Sequence, residues 1–429
     1  MVLDSLGTAL AATTLGDGCR ETVTVMRRLG GPAESTILGT RTKVAAPAAA
    51  FANGALVHAL NYDPIGPDIG HLGVVCLAAP LAVAEAVGGV SGRDFIVASA
   101  VACEITARVT ASIVHSGRRP SEKYMSGQLL SYFGAAAGAG RLLGLSAAEM
   151  ASALGLGLMQ AAGSRQVVLS GDPPAKAIYG AFPNQAGVIA ALLAKEGLGA
   201  DVDILGEPAG LFAMVYGGAG DTSTLTEGLG KEFLLSNVQF KPWPTSNHVH
   251  AFIEAAGEIA HGGLVADDIA EVDVVAHSHL KPWCEPLDKR RRPDNAAAAG
   301  NSILFCVAKS LVHGEVGLAD VSAAGLTDAA ALAVAERTSY RLDDRIEGAL
   351  VTVRMRDGRR LESRVAAPLG HASRPVSDER LMMKFRDCCD HAASPLAPRT
   401  VEQFAQMVYD LERLDDVSRL AALASGVAL

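Results

Sequence analysis

A histidine that follows a segment rich in proline and glycine has the features of a catalytic acid or base. His71 comes after residues 63–70, which contain two prolines and two glycines and therefore cannot continue a helix. An imidazole on a loop just before a buried helix is placed to titrate into a cleft. Asp63 could orient that imidazole, although an aspartate in such a loop also forms an Asx turn. The alternative for His71 is a histidine on a surface loop.

Three basic residues are candidates for binding a carboxylate. Lys176 lies between two prolines and an apolar helix, where an ammonium binds a carboxylate as a point charge or extends to solvent. Lys241 begins the segment Lys-Pro-Trp-Pro at a predicted domain junction, which is where clefts commonly form. Arg165 precedes a Gly-Asp-Pro-Pro loop and could bind a carboxylate through two hydrogen bonds. An arginine at a surface or an interface is the alternative reading of Arg165.

Two tyrosines, Tyr124 and Tyr179, are possible acids, although such residues more often pack and make one hydrogen bond. His248 and His250 are two residues apart, but a metal site needs a third ligand with suitable geometry. The pair His277 and His279 adds imidazoles without a spacing that specifies a site. We therefore predict neither a metal nor an organic cofactor.

The composition excludes several classes of protein. The chain has 429 residues, of which 49% are hydrophobic and 19% charged, so a wholly disordered chain is excluded. A formal net charge of −9 makes binding to a nucleic-acid backbone unlikely on electrostatic grounds, and we predict no nucleic-acid partner. The short basic cluster at residues 289–292 is predicted to be a solvated turn.

Cysteine usage and apolar segments bear on the location of the protein. Seven cysteines without a Cys-x-x-Cys motif predict buried, reduced thiols in the cytoplasm. The N-terminus lacks the basic region and long apolar core of a signal peptide. Charged residues interrupt the apolar stretches before about 18 residues, so we predict no membrane span.

Local patterns predict a mainly α protein. Residues 1–240 are predicted to form a large all-helical domain, completed by residues 396–429. In this domain Gly134 and Gly138 lie four apart on one helical face, which permits close helix packing. Ser146 and Glu149 predict a capping box, and Asp94 is predicted as an N-cap.

Residues 241–395 are predicted to form a smaller α+β lid domain. Residues 269–276 alternate apolar and polar side chains, as half-buried strands do. Residues 349–365 form a hairpin signal with Asp357-Gly358 at the turn. A helix is predicted between these strands, at residues 302–311.

The order of these segments resembles the MmgE/PrpD family, which includes 2-methylcitrate dehydratase, cis-aconitate decarboxylase and iminodisuccinate epimerase. The resemblance covers nearly the whole chain. It rests on an Ala-Asn-Gly…His-Ala motif and on further motifs in the family's order, at residues 3–7, 52–60, 71, 83–85, 91–94, 133–137, 142–145, 176–180, 241–250, 298–314 and 383–385.

The resemblance implies a homodimer with a site between an all-α domain and an α+β lid. It also implies cofactor-free acid–base chemistry on a small carboxylate or related carbonyl compound. His71 matches the family's catalytic-loop histidine, Asp63 an acidic residue of the same motif, and Lys176 the lysine that faces the substrate. His250 matches a family histidine for which a structural role is the alternative. Lys241, Arg165 and Tyr124 join it as expected substrate-binding residues.

Several positions depart from the family pattern. Asn61 replaces the first aspartate of the catalytic loop, and we expect it to bind substrate rather than to take a proton. Ile65 replaces a threonine, Met125 a histidine, Tyr179 the histidine after the lysine, and Phe305 a tyrosine. Two hypotheses remain open: a divergent lyase or isomerase that performs dehydration, epimerisation, isomerisation or ring closure, and a catalytically impaired protein that binds a small molecule or acts as a scaffold.

Overall fold

The computed structural model describes residues 1–66, 70–116, 123–206, 208–218 and 220–426. Helices make up most of the first half of the chain, and the apolar segments at residues 46–58 and 72–87 bury nearly every side chain. They are α1 (Val2–Leu15), α2 (Cys19–Leu29), α3 (Ala46–His58), α4 (Leu72–Val87), α5 (Gly92–His115), α6 (Ser126–Leu142), α7 (Ala147–Gln160), α8 (Gln166–Leu169), α9 (Ala181–Lys195) and α10 (Leu211–Tyr216).

Strands in this first half are only two residues long. They form two antiparallel pairs, β1 (Ser35–Thr36) with β2 (Lys43–Val44), and β3 (Ile65–Gly66) with β4 (Gly70–His71). The second pair brings His71 to the start of α4, where the backbone N–H groups of Leu72 and Gly73 both donate to the carbonyl oxygen of Pro64. Residues 67–69 of the predicted catalytic loop lie outside the described residues.

The second half contains a four-stranded sheet with helices. Its strands are β5 (Ile269–Ala276), β6 (Thr338–Leu342), β7 (Ala349–Met355) and β8 (Arg360–Val365), in the order β6-β5-β7-β8. β5 is parallel to β6 and antiparallel to β7, and β7 and β8 form the hairpin predicted around Asp357-Gly358. The helices are α11 (Asn247–His261), α12 (Leu287–Arg291), α13 (Ala296–Gly300), α14 (Ile303–His313) and α15 (Ala329–Glu336).

Three helices follow the sheet: α16 (Asp378–Asp390), α17 (Pro398–Tyr409) and α18 (Ser418–Ala424). α16 lies in the range predicted for the second domain, but its Phe385, Cys388 and Cys389 side chains belong to the core built on α1, α3 and α4. A separate core holds α11 and α14 against the sheet. The fold is therefore mainly α, with a small α+β part, as predicted.

Several local predictions can be compared with the structure. The capping box of Ser146 and Glu149 is present. The prediction of Asp94 as an N-cap is wrong, because the Ser91 side chain caps α5 by accepting from the Asp94 backbone N–H. The prediction of a solvated turn at 289–292 is wrong for Arg290, whose side chain is buried. All seven cysteines are free and buried.

Two helical segments, Gly92–His115 and Pro174–Lys195, are long and apolar enough to cross a membrane by length and composition alone. In each of them, 67% of the most apolar window is buried inside the protein. Helices in the cores of soluble proteins pass the same test, so this feature is weak evidence for a membrane span.

The small residues of α6 allow it to approach α5 closely, as predicted. A Cβ atom added to Gly134 would lie 2.4 Å from the carbonyl oxygen of Ala102 and 2.1 Å from the Thr106 hydroxyl. Because the first of these is a backbone atom, the helices would have to move apart to accept a methyl group.

We expect Gly134→Ala to lower the free energy of unfolding by about 1–3 kcal/mol, the usual effect of overpacking. Gly157→Ala is the matched control: Gly157 also lies inside a helix, but its added Cβ would meet its nearest neighbour at 3.6 Å. The control should be neutral or stabilising, since alanine favours helix more than glycine does. Urea unfolding of both variants measures the difference, and equal stabilities would contradict close packing at Gly134.

Candidate active site

A cleft of about 260 Å³ lies between the helical core and the first segments of the second core. Its wall contains six of the residues predicted from the sequence: Asn61, His71, Tyr124, Arg165, Lys176 and Tyr179. The second half of the chain contributes Ser246, Asn247, His248, Trp283 and Asn301. A larger cavity of about 640 Å³ lies beside α2, and its wall includes none of the predicted site residues.

His71 is bound through one ring nitrogen to a buried carboxylate. The Nδ1 atom lies 2.7 Å from Oδ1 of Asp63, whose side chain is fully buried. An ionised carboxylate only accepts hydrogen bonds, so Nδ1 carries the proton and Nε2 is left with a lone pair. This arrangement orients an imidazole that can accept a proton from a molecule in the cleft.

The environment favours a neutral imidazole beside an ionised carboxylate. Burial lowers the pKa of His71, and this effect outweighs the attraction of Asp63, which acts in the opposite direction. Burial alone would raise the pKa of Asp63, but the two neighbouring imidazoles, His71 and His58, hold it well below its ordinary range. At neutral pH the pair is therefore an unprotonated base with a fixed negative partner.

A second imidazole, His58, was not among the residues predicted for the site. It is buried at the C-terminal end of α3, and its ring lies 4.1 Å from the His71 ring and 4.1 Å from the Tyr179 ring, measured between centroids. Its Nδ1 atom is 3.6 Å from Oδ1 of Asp63. A histidine in the last turn of a buried helix, five residues before Asp63, is the signal that could have revealed it.

His58, Asp63 and His71 also have the residue types of a metal site, and their ligand atoms lie within 4.8 Å of one another. Two ligands of a tetrahedral zinc ion, each about 2.0–2.1 Å from the metal, are roughly 3.3 Å apart. The 2.7 Å separation between His71 Nδ1 and Asp63 Oδ1 is instead the length of a hydrogen bond. As arranged, the three residues fit a shared proton better than an ion.

Lys176 brings a positive charge to the cleft wall from a 3₁₀ turn at Pro174–Ile178. Its Nζ atom lies 3.5 Å from Oδ1 of Asp172. Burial lowers the pKa of Lys176, while Asp172 opposes that shift. The neighbouring Tyr179 is neutral, because burial raises the pKa of its phenol far above the ordinary value.

Lys241 is buried behind the cleft rather than exposed on its wall. Its Nζ atom donates to the backbone carbonyl oxygen and to the side-chain Oδ1 of Asn61, both at 2.7 Å. Asn61 has a positive φ of 50°, a conformation that asparagine tolerates better than most residues. Burial lowers the pKa of Lys241 to about 7. Lys241 therefore holds the loop that carries Asp63, and its position favours support over substrate contact.

Arg165, Tyr124 and Met125 form another part of the wall. A β-bridge joins Tyr124 to Ser164, and the backbone N–H of Met125 donates to the carbonyl oxygen of Gly163 at 2.8 Å. Met125, expected from the resemblance to replace a histidine, therefore lines the cleft. Phe305, expected from the resemblance to replace a tyrosine, is fully buried in the second core and does not line the cleft.

His250, predicted to bind substrate, does not line this cleft. Its ring packs against Trp243, with centroids 5.3 Å apart, and it borders a separate cavity of about 120 Å³ together with Lys241. Burial lowers the pKa of His250 well below its ordinary value. We therefore do not propose a direct contact between His250 and a substrate in the cleft.

The helical first half and the small α+β part are the architecture expected of the MmgE/PrpD family, and comparison with known proteins shows that the chain belongs to it. The family model described as the MmgE/PrpD N-terminal domain matches residues 1–223, and the model of the C-terminal domain matches residues 243–410.

Curated relatives share low identity over most of their length. A cis-aconitate decarboxylase-like protein of Aspergillus oryzae is 28% identical over 422 residues, covering 91% of this chain and 85% of the relative. The cis-aconitate decarboxylase of Homo sapiens is 25% identical over 99% of this chain and 89% of its own length. The cis-aconitate decarboxylase of Aspergillus terreus is 25% identical over 91% of this chain and 84% of its own length.

The buried, neutral state of His250 predicts a pH dependence of stability. The unfolded chain takes up a proton on this residue below about pH 6.5, whereas the folded chain does so only at lower pH. Unfolding therefore becomes easier as the pH falls through this range. We expect wild type to lose about 1 kcal/mol or more stability relative to His250→Gln between pH 7 and pH 5.

Urea unfolding of both proteins at pH 8, 7 and 5 measures this effect. The difference at pH 8 reports the packing lost in the variant, and the further change at lower pH isolates protonation. Parallel losses of stability in the two proteins would show that His250 is not held neutral.

Proposed function

We propose that this protein is a lyase that acts on a small carboxylic acid by acid–base chemistry. The observation that carries this proposal is the convergence of the His71–Asp63 pair and the Lys176 ammonium on one cleft of about 260 Å³. The curated relatives, which are named cis-aconitate decarboxylases or like proteins, support a carboxylate substrate.

In the proposed mechanism, the cationic side chains bind the substrate carboxylate and the His71–Asp63 pair transfers a proton. A carbon beside a carboxylate is a weak acid, so the charge that develops in the transition state needs a fixed cation. Lys176 supplies that cation, with Arg165 as a second group for a substrate carboxylate. Nε2 of His71 exchanges a proton with the substrate carbon, and Asp63 stabilises the imidazolium that forms.

Proton transfer at carbon is the step shared by dehydration, decarboxylation, epimerisation and related isomerisations. We expect incubation with cis-aconitate and other small di- and tricarboxylic acids in D₂O to incorporate deuterium at one carbon of a turned-over substrate or its product. NMR detects the label and its position. Binding without label incorporation would instead support the alternative of a small-molecule binding protein.

In the same assay, His71→Ala and Lys176→Ala should each lower turnover by about a hundredfold or more, the range typical for loss of an acid–base group. His115→Ala and Lys281→Ala are controls, since both residues are exposed and neither lines the cleft. Near-normal rates in both cleft variants would exclude the proposed roles of these residues.

The low pKa of His71 predicts the acid side of the pH–rate profile. A base works only when unprotonated, and burial keeps this imidazole unprotonated at pH values where a solvated histidine is charged. We therefore expect kcat/KM to stay nearly constant as pH falls through about 6.5 and to decline only at lower pH. A decline centred at or above pH 6.5 would contradict a buried His71 base.

We also propose that the chain forms a homodimer in the cytoplasm, as its family resemblance implies. Large apolar side chains are exposed on α7 and α9, which pack together, including Met159 at 81% exposure and Phe182 at 44%. Covering this surface with a second copy would remove apolar area from water. Light scattering with size-exclusion chromatography measures the mass in solution.

A further inference from the structure

A buried ion pair ties the turn that carries Lys176 to the second core. Asp172 precedes this turn, and its carboxylate lies between Lys176 and Arg290 of α12. We propose that Asp172 and Arg290 are positioning residues, which together hold the Lys176 ammonium at the cleft wall with its positive charge only partly compensated. The inference rests on the proposed function only in that Lys176 is taken to bind a substrate carboxylate.

Asp172 divides its two oxygens between the cations. Oδ2 lies 2.7 Å from Nη2 of Arg290, and Oδ1 lies 3.5 Å from Nζ of Lys176. Neither contact has the alignment of a good hydrogen bond, so both are ion pairs in character. The side chain is 1% exposed, and the backbone has a positive φ of 58°.

The Arg290 side chain is held in place by backbone carbonyl groups of residues near it in the sequence. Its guanidinium donates to the carbonyl oxygens of Pro282 at 2.7 Å, Glu285 at 3.2 Å and Ala298 at 3.5 Å. The preceding Lys289 donates to the carbonyl oxygen of Ser170 at 3.2 Å. These contacts prevent Arg290 from following the carboxylate, so Arg290 sets the position of Asp172.

The charges around Lys176 explain why both partners matter. Asp172 attracts the ammonium, whereas Arg290 repels it and also competes for the same carboxylate. His58, His248 and Lys241 are the other titratable groups whose own pKa values the Lys176 charge lowers.

With Asp172 paired mainly to Arg290, the ammonium retains positive charge to meet a substrate carboxylate. Without Arg290, Asp172 would bind Lys176 alone and draw it away from the cleft. Without Asp172, two buried cations would face each other. The two substitutions should therefore shift the protonation of Lys176 in opposite directions.

The test measures the reactivity of Lys176 directly, without a substrate. Wild type, Asp172→Asn and Arg290→Gln are treated with trace acetic anhydride from pH 6 to 10, and mass spectrometry follows acetylation of the peptide containing Lys176. Asparagine tolerates a positive φ, so the first variant keeps the backbone. The unprotonated amine reacts, and at pH 8 we expect labelling about threefold or more faster in Asp172→Asn and slower by a similar factor in Arg290→Gln.

Arg291→Gln is the matched control, because Arg291 lies on the same helix and donates instead to the carbonyl oxygen of Thr338, at 2.7 Å and 3.2 Å. Arg290→Lys keeps the charge but not the guanidinium contacts, and it should slow the labelling of Lys176 less than Arg290→Gln does. If only one of Asp172→Asn and Arg290→Gln folds, that variant decides: a shift of the Lys176 labelling rate in its expected direction supports the proposal, and a shift no larger than that of the control overturns it.

The positioning role would be overturned if Asp172→Asn and Arg290→Gln changed the labelling rate of Lys176 in the same direction, or by no more than Arg291→Gln does. Absence of any labelling of Lys176 in wild type would contradict its place on the cleft wall and overturn it as well. Because no turnover is measured, opposite shifts in a protein that lacks lyase activity would support the positioning role and count against the proposed function alone.

Discussion

Buried positive charge at the junction of the two cores is the constraint on which the site depends. Lys241, Arg290 and Lys384 are buried and each donates to several oxygen atoms, whereas the nearly buried Lys176 has one carboxylate oxygen of Asp172 at 3.5 Å. A charge removed from water is costly unless oppositely charged groups or hydrogen-bond partners compensate it. The requirement fixes the loops that supply those oxygens, and the same loops carry the residues of the cleft.

The buried charge of Lys384 is compensated by groups from distant parts of the chain. Its ammonium donates to both carboxylate oxygens of Asp4 at 2.8 and 2.9 Å, to the carbonyl oxygen of Tyr62 at 2.7 Å and to that of Lys241 at 3.2 Å. It therefore joins α1, α16, the loop before Asp63 and the domain junction. The Tyr62 hydroxyl adds a hydrogen bond to the carbonyl oxygen of Pro242 at 3.1 Å. Through these contacts the loop before Asp63 is fixed to parts of the chain that are remote in sequence.

Local patterns were sufficient for most of the secondary structure but not for these contacts. The β7–β8 hairpin and the Ser146 capping box depend on residues close in sequence, so they were predictable. The pairing of Asp4 with Lys384 spans 380 residues, and no local pattern encodes it. Arg290 was predicted to be solvated because a run of basic residues does not show which one is directed inward.

The same reasoning explains which site residues could be predicted. His71, Lys176 and Arg165 stand out because they are polar residues beside proline- and glycine-rich segments, where loops form walls. His58 lies within a strongly apolar helix, where a histidine resembles a core residue unless its partner is known. Its relation to Asp63 depends on the turn after α3, in which Asn61 adopts a positive φ.

The resulting distribution of charge suits the chemistry of a carboxylate better than that of a neutral or cationic molecule. Among the described residues that line the cleft there is no acidic side chain, and the Asp63 carboxylate is screened behind His71. A bound anion would therefore meet Lys176 and Arg165 directly and reach the negative charge only through the imidazole. In the proposed mechanism, Asp63 would stabilise the protonated His71 during proton transfer, while the imidazole would reduce repulsion between Asp63 and the substrate. The proposed base and the cationic wall would thus depend on the same feature, a buried carboxylate that holds His71 through one of its two oxygens.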